Sequence, residues 1–187
     1  MMTGSRFICT PEEVLDFWFE RCAREDWFNV SAALDEEMRR RFRDTHLTLA
    51  GGVLGTWRAT PENQLATIIV LDQFPRNIYR GTALAFATDG LALQEAKLAL
   101  NTGADQAVAR ERRCFFYLPF EHAESLIEQE KAVEFFQALG DEEYIDFAIR
   151  HRATIATYGR FPHRNALLGR VSTEAERDYL AQPGAGF

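Results

Sequence analysis

Apolar residues recur along this chain at spacings of three and four, and no stretch of useful length alternates with a period of two. The pattern predicts helices throughout. Thr10-Pro11-Glu12-Glu13 is a helix start, with a cap, a proline at the first position and a glutamate three residues after the cap. Val14, Phe17 and Trp18 share one face of that helix, which should end near Cys22. Glu25 to Val30 is a connection carrying Trp27 and Phe28. Ser31 opens a second helix, buried through Leu34, Met38, Phe42 and Thr45 and stopped by Gly51-Gly52. Thr60-Pro61 opens a third, with Leu65, Ile68, Ile69 and Asp72 on one stripe. Asp72 thus points where the apolar residues point. A buried carboxylate is costly unless paired, so Asp72 needs a partner from elsewhere in the fold.

Further along, Thr82 is expected to cap a long alanine-rich helix closed by Gly103. Asp105 is expected to cap the next, through Val108, Arg112, Phe115, Phe116 and Leu118, with Pro119 kinking or restarting it. Glu128 to Leu139 follows, stopped by Gly140. Asp141 caps the last long helix, where Tyr144, Ala148, His151, Ile155 and Tyr158 form a stripe, so His151 also faces the core. Ser172 or Thr173 opens a short helix through Tyr179 and Leu180. Residues 182–187 read as a loose tail that Phe187 could anchor. The whole is one all-α domain over 1–187, of about eight or nine helices, arranged as a bundle or a solenoid. No fixed period of about 34 residues marks a tetratricopeptide consensus.

Two segments echo each other. Leu71-Asp72-Gln73-Phe74-Pro75-Arg76-Asn77 and Gly159-Arg160-Phe161-Pro162-His163-Arg164-Asn165 share Phe-Pro, Arg-Asn and a glycine four residues after the asparagine. A residue before proline is pushed out of the α region, so Phe74 and Phe161 should end their helices. Asn77 and Asn165 should each begin a tight turn or short helix. The plainest reading is a helix–corner–helix joint used twice, with no chemistry of its own.

Composition narrows the class. At 187 residues, 47% hydrophobic and 12% aromatic, the chain can bury a sizeable core. A net charge of −7 argues against a nucleic-acid partner, whose affinity comes largely from basic charge on phosphate. Cys9, Cys22 and Cys114 form no Cys-x-x-Cys pair and give no disulfide framework. No apolar run has transmembrane length and no secretory signal pattern stands at the N-terminus, so no membrane is expected and the default location is the cytoplasm.

Three blocks carry a resemblance: Leu71–Asn77 above, Tyr117-Leu118-Pro119-Phe120-Glu121-His122-Ala123-Glu124, and Gly159–Asn165. In that order, with Val14-Leu15-Asp16-Phe17-Trp18-Phe19 before them, they resemble the signature of a bacterial family known as domain of unknown function 924. The likeness spans nearly the whole chain. It implies a tetratricopeptide-like right-handed α-α superhelix and brings no biochemical activity with it.

The polar residues of these blocks, together with His151, are the candidate ligand-binding set: Asp72, Arg76, Asn77, Glu121, His122, Glu124, His151, Arg160, His163, Arg164 and Asn165. Three uses compete. They can form a buried scaffold network of ion pairs and caps. They can line a binding pocket for a small anionic molecule or a peptide, because a guanidinium fork matches carboxylate or phosphate. Or Glu121, His122, His151 and His163 can serve a hydrolase-type or metal-dependent enzyme. Glu-His-Ala-Glu is not a recognised metal spacing, and adjacent Glu121 and His122 point about 100° apart on a helix. No phosphate loop, nucleophile elbow or dinucleotide fingerprint is present. The reading is therefore a binding or scaffolding module, not demonstrably an enzyme, with no cofactor and no metal expected.

Overall fold

The computed structural model describes residues 7–27 and 29–186; Phe28 and Phe187 lie outside them. Among the described residues the protein is all-helical, with no strand. In chain order the helices are α1 (Pro11–Asp16, continued by a π-helical turn Phe17–Arg21), α2 (Ala32–Gly51), α3 (Pro61–Asp72), α4 (Phe74–Ile78) and α5 (Asp89–Asn101). They continue as α6 (Ala104–Ala107), α7 (Cys114–Glu121), α8 (Leu126–Leu139), α9 (Glu142–Tyr158) and α10 (Glu174–Leu180).

Local sequence explains most of the helix starts. Thr10 makes the capping box with Glu13, and Ser31, Thr60, Asp141 and Thr173 each accept a backbone N–H in the first turn that follows. Gly140 and Gly159, at φ 71° and 68°, close α8 and α9 in the left-handed conformation that costs glycine least.

Two helices form the centre. Every residue of α3 from Leu65 to Asp72 is buried, and so is every residue of α7. A helix that is apolar all round belongs inside, and α3 packs against α1, α2, α5 and α7. Phe17, Phe42 and Phe74 interlock at ring-centroid distances of 4.7–6.3 Å, and Trp18 bridges them to Phe115 at 5.9 Å. The two central helices, α3 and α7, bring their C-terminal ends to one place, where Asp72 and His122 meet.

Several expectations are corrected. Thr82 does not cap a long helix: its hydroxyl donates to the Tyr79 carbonyl, a 3-10 turn follows (Ala83–Phe86), and α5 begins only at Asp89. Asp105 lies inside the short α6 and accepts the Tyr117 hydroxyl at 2.7 Å, a contact no local pattern reveals. Pro119 sits inside α7 and so restarts no helix there. The two Phe-Pro joints also differ. After α3 only Gln73 intervenes, with helical dihedrals (φ −86°, ψ −50°), and Phe74 opens α4 with Pro75 in its first turn, where the missing N–H costs nothing. Asn77 is therefore inside a helix, not at its start. After α9 the chain breaks at Gly159 and Phe161 is extended (φ −88°, ψ 105°). At the C-terminal end, Gly186 donates its N–H to the Tyr179 hydroxyl at 3.3 Å and lies against the His163 ring.

Candidate functional site

The site begins with Asp72, the last residue of α3, which is fully buried. His122, the residue that caps α7, places Nδ1 2.8 Å from Asp72 Oδ1 and 2.9 Å from Oδ2. The Gln73 amide donates to Oδ2 at 2.5 Å, and Arg76 Nη2 lies 3.8 Å from Oδ1. Burial alone would raise the Asp72 carboxyl. The His122 ring, the Arg76 guanidinium and the Gln73 amide outweigh it and hold the carboxyl below its usual range. An ionised carboxylate only accepts, so His122 Nδ1 carries the proton and Nε2 is the ring's acceptor nitrogen.

Next to this pair stand two arginines that share one carboxylate. Arg76 Nη1 lies 2.9 Å from Asp89 Oδ1 and donates to the Ala85 carbonyl at 2.6 Å, and Arg164 Nη1 donates to Asp89 Oδ2 at 3.0 Å. Both guanidiniums lie against the Phe86 ring, at 5.1 and 4.6 Å, and Arg164 also lies against Phe161 at 4.5 Å. Burial, and then the charge of Arg76, lower Arg164 to about 10, which leaves it charged at neutral pH. Arg76 Nη2 and Arg164 Nε are buried and have no hydrogen-bond acceptor among the described residues.

Glu121 is the third component. It is buried, its Oε1 lies 3.4 Å from His151 Nδ1, and its Oε2 has no hydrogen-bond partner among the described residues. Burial, with the Asp72 charge adding to it, raises the Glu121 carboxyl to about 8, so it is a neutral acid at pH 7. His151 sits between Nδ1 contacts to Glu121 and to the Phe147 carbonyl, the latter at 2.8 Å. Burial lowers His151 to about 3. Burial, followed by the nearby Arg164 and Arg76 charges, lowers His163 to about 4. Both rings are neutral at pH 7.

These groups open onto a cleft of about 540 Å³. Of the residues singled out from sequence, Arg76, Asn77, Glu121, His122, His151, His163 and Arg164 line it, and Asp72 supports it from below. Three candidates are engaged elsewhere. Glu124 accepts from Arg170 at 2.7 Å and from the Phe161 N–H at 2.8 Å; Arg160 pairs with Glu176 at 2.6 Å; Asn165 donates to Ser172 at 3.0 Å. Glu124 fastens residues 159–176 to the body of the protein, and the other two contacts hold that segment together within itself. Asn77 lines the cleft but spends its amide on Asp35, which also holds Arg80.

Sequence reasoning missed Asp89, Phe86 and Gln73. Asp89 opens α5 and looks like an ordinary first-turn acid. Its partners, Arg76 and Arg164, come from different blocks. Gln73 alone could have been found, since it falls within the first signature block beside the stripe residue Asp72. Among the described residues no group of His, Cys, Asp and Glu side chains is arranged to hold a metal ion.

The described residues form an all-helical protein, and comparison gives the family. The family described as a bacterial protein of unknown function, DUF924, matches residues 14–184, and this chain belongs to it. Among solved structures, a protein of unknown function from Agrobacterium tumefaciens, ATU0120, is similar at 44% sequence identity, with a TM-score of 0.87. The likeness covers 91% of this chain and 96% of that one. No curated protein matches.

Proposed function

We propose that the cleft binds a small anionic molecule with an apolar portion, a carboxylate being the best-matched head group. The observation that carries this is a buried guanidinium, Arg164, beside a half-buried one, Arg76, each with a buried N–H that meets no acceptor among the described residues. Leaving such donors unmatched costs free energy that a bound oxyanion would recover. Asp89 already neutralises part of their charge, so the attraction is short-ranged and geometric rather than a broad positive field. Phe86, Leu118, Phe147 and Leu167 line the same cleft and suit a short hydrocarbon chain, and the volume falls within the range of ordinary ligand pockets. The superhelical form that the family resemblance implies, with ligands on its concave face, agrees with this reading. Cys9, Cys22 and Cys114 are all buried and free, which suits the reducing cytoplasm we assign as its compartment.

Calorimetry and thermal shift with glutarate, inorganic phosphate and dimethyl glutarate test this reading. Glutarate at about 100 times its dissociation constant should add roughly 2.7 kcal/mol of stability. Dimethyl glutarate should add nothing, and Arg164→Met should abolish the glutarate effect. Equal shifts with the charged and uncharged compounds, or none with either anion, would overturn it.

A further inference from the structure

We propose that His122 Nε2 acts as a general base in this cleft, driving hydrolysis of a small ester that carries a carboxylate. The inference rests on the anion-binding reading and adds a reaction to it.

The geometry is that of a base held in place. Both Asp72 oxygens lie within 2.9 Å of His122 Nδ1. Gln73 fixes the carboxylate in turn, which leaves the ring one orientation and one tautomer. The ring lines the cleft while its carboxylate partner is sealed from solvent. A structural histidine usually spends both nitrogens on the protein; His46 does so, on the Tyr79 and Thr88 hydroxyls. In His122 only Nδ1 has a hydrogen bond among the described residues.

The rest of the wall decides what the base can activate. No serine, threonine, cysteine or lysine lines the cleft among the described residues. Tyr144 is the one hydroxyl among the described lining residues, and burial pushes its pKa up, so water takes the nucleophile's place. The acid is at hand as well: the neutral Glu121 carboxyl lines the same cleft, with an oxygen that has no hydrogen-bond partner among the described residues. Arg76 and Arg164 hold the substrate carboxylate and so fix the acyl group near the ring.

The step balances. Water bonds to the acyl carbon through oxygen as its proton passes to His122 Nε2. The tetrahedral species then collapses, the bond from carbon to the alcohol oxygen breaks, and that oxygen takes the proton of Glu121. Acid and alcohol leave. The proton on His122 returns to the Glu121 carboxylate through solvent, and both groups are restored. Asp72 and Gln73 touch no reacting atom and are positioning residues.

The test uses mono-(4-nitrophenyl) glutarate and its neutral counterpart, 4-nitrophenyl butyrate, with release of 4-nitrophenol as the readout. His122→Gln keeps a donor for Asp72 and removes the base. Wild type should cleave the charged ester about a hundredfold faster than this variant, in the range expected for general-base catalysis. Asp72→Asn should lower activity and displace the acidic limb of the pH–rate profile to lower pH, a change that mere loss of packing would not produce. Glu121→Gln should slow an alkyl ester, monomethyl glutarate, more than the aryl ester, whose leaving group needs less protonation. If wild type cleaves the charged ester no faster than His122→Gln, the base is overturned, whatever calorimetry says of glutarate. If wild type cleaves both aryl esters equally and in a His122-dependent way, the base stands and the anion reading falls. Should His122→Gln not fold, carbethoxylation of the wild type replaces it. Activity should then fall in proportion to the His122 adduct measured by mass spectrometry, and activity retained with His122 fully modified would overturn the proposal.

Discussion

Asp72 and His122 lie 50 residues apart in sequence and 2.8 Å apart in the structure, one at the end of α3 and the other capping α7. Each needs the other. Asp72 is sealed among apolar helices at a helix C-terminus, where a negative charge is unwelcome. Removing the carboxylate strips His122 of its orientation and leaves Arg76 with only Asp89 as a charged partner. Asp72→Ala should therefore cost about 3–5 kcal/mol, the range for breaking a buried pair. An unchanged denaturant midpoint would show that the pair contributes nothing.

Glu121 makes stability depend on pH in the opposite direction from an ordinary paired carboxylate. The unfolded chain releases this proton near pH 4.3, about the usual glutamate value, whereas the folded chain keeps it to about 8. Between those values the folded state holds more protons, so this group's contribution falls as pH rises through the window. Glu121→Gln should gain on the wild type as pH goes from 5 to 8, with a ceiling of roughly 4 kcal/mol. Urea midpoints at the two pH values measure it, and parallel behaviour of the two proteins would contradict it.

His151 works on the acid side. Its folded value is lowered to about 3, while the unfolded ring takes up its proton near 6.5. Below pH 6.5 the unfolded state binds more protons, so stability drops as pH falls toward 3. His151→Phe should show a shallower loss between pH 6.5 and 4 than the wild type, read from thermal midpoints. Equal slopes would mean that the ring is hydrated in the folded protein.

Gly159 sits at φ 68° with open space where a side chain would begin, so only backbone conformation resists substitution. Gly159→Ala should cost about 1 kcal/mol through left-handed strain alone. A chemical-denaturation midpoint equal to wild type would show that the corner after α9 relaxes freely.

How much of this was legible from sequence follows from how far each residue's cause lies along the chain. Thr10, Ser31, Thr60 and Asp141 are legible because a cap and the backbone N–H that donates to it lie within three residues of each other. Asp72 reads as buried because it falls on the same helical stripe as Leu65, Ile68 and Ile69, and the structure buries it fully. Thr82 and Asp105 misled because a threonine or aspartate before apolar residues looks like a cap whether or not a helix follows. What decides Asp105 is Tyr117, on another element. The convergence of the three blocks was a conjecture that no periodicity could supply. Asp89, the acid that joins Arg76 to Arg164, has partners 13 and 75 residues away and no mark of its own. Arg160, Glu124 and Asn165 carry the same polar character as the cleft residues, and only their contacts show that Glu124 fastens the C-terminal segment while Arg160 and Asn165 brace it from within.

The central claim is that the three blocks build one anion-binding cleft with His122 on its wall. The chain has four histidines, and their ring carbon–proton signals can be followed together in protein labelled with 13C-histidine. Variants at single histidines assign them. His122, His151 and His163 line the cleft, whereas His46 lies outside it against Tyr79 and Thr88 and serves as an internal control. Titration with glutarate should move the His122 and His163 signals along saturating curves that give one dissociation constant, leaving His46 in place. No movement of His122, or equal movement of all four signals, would contradict the account.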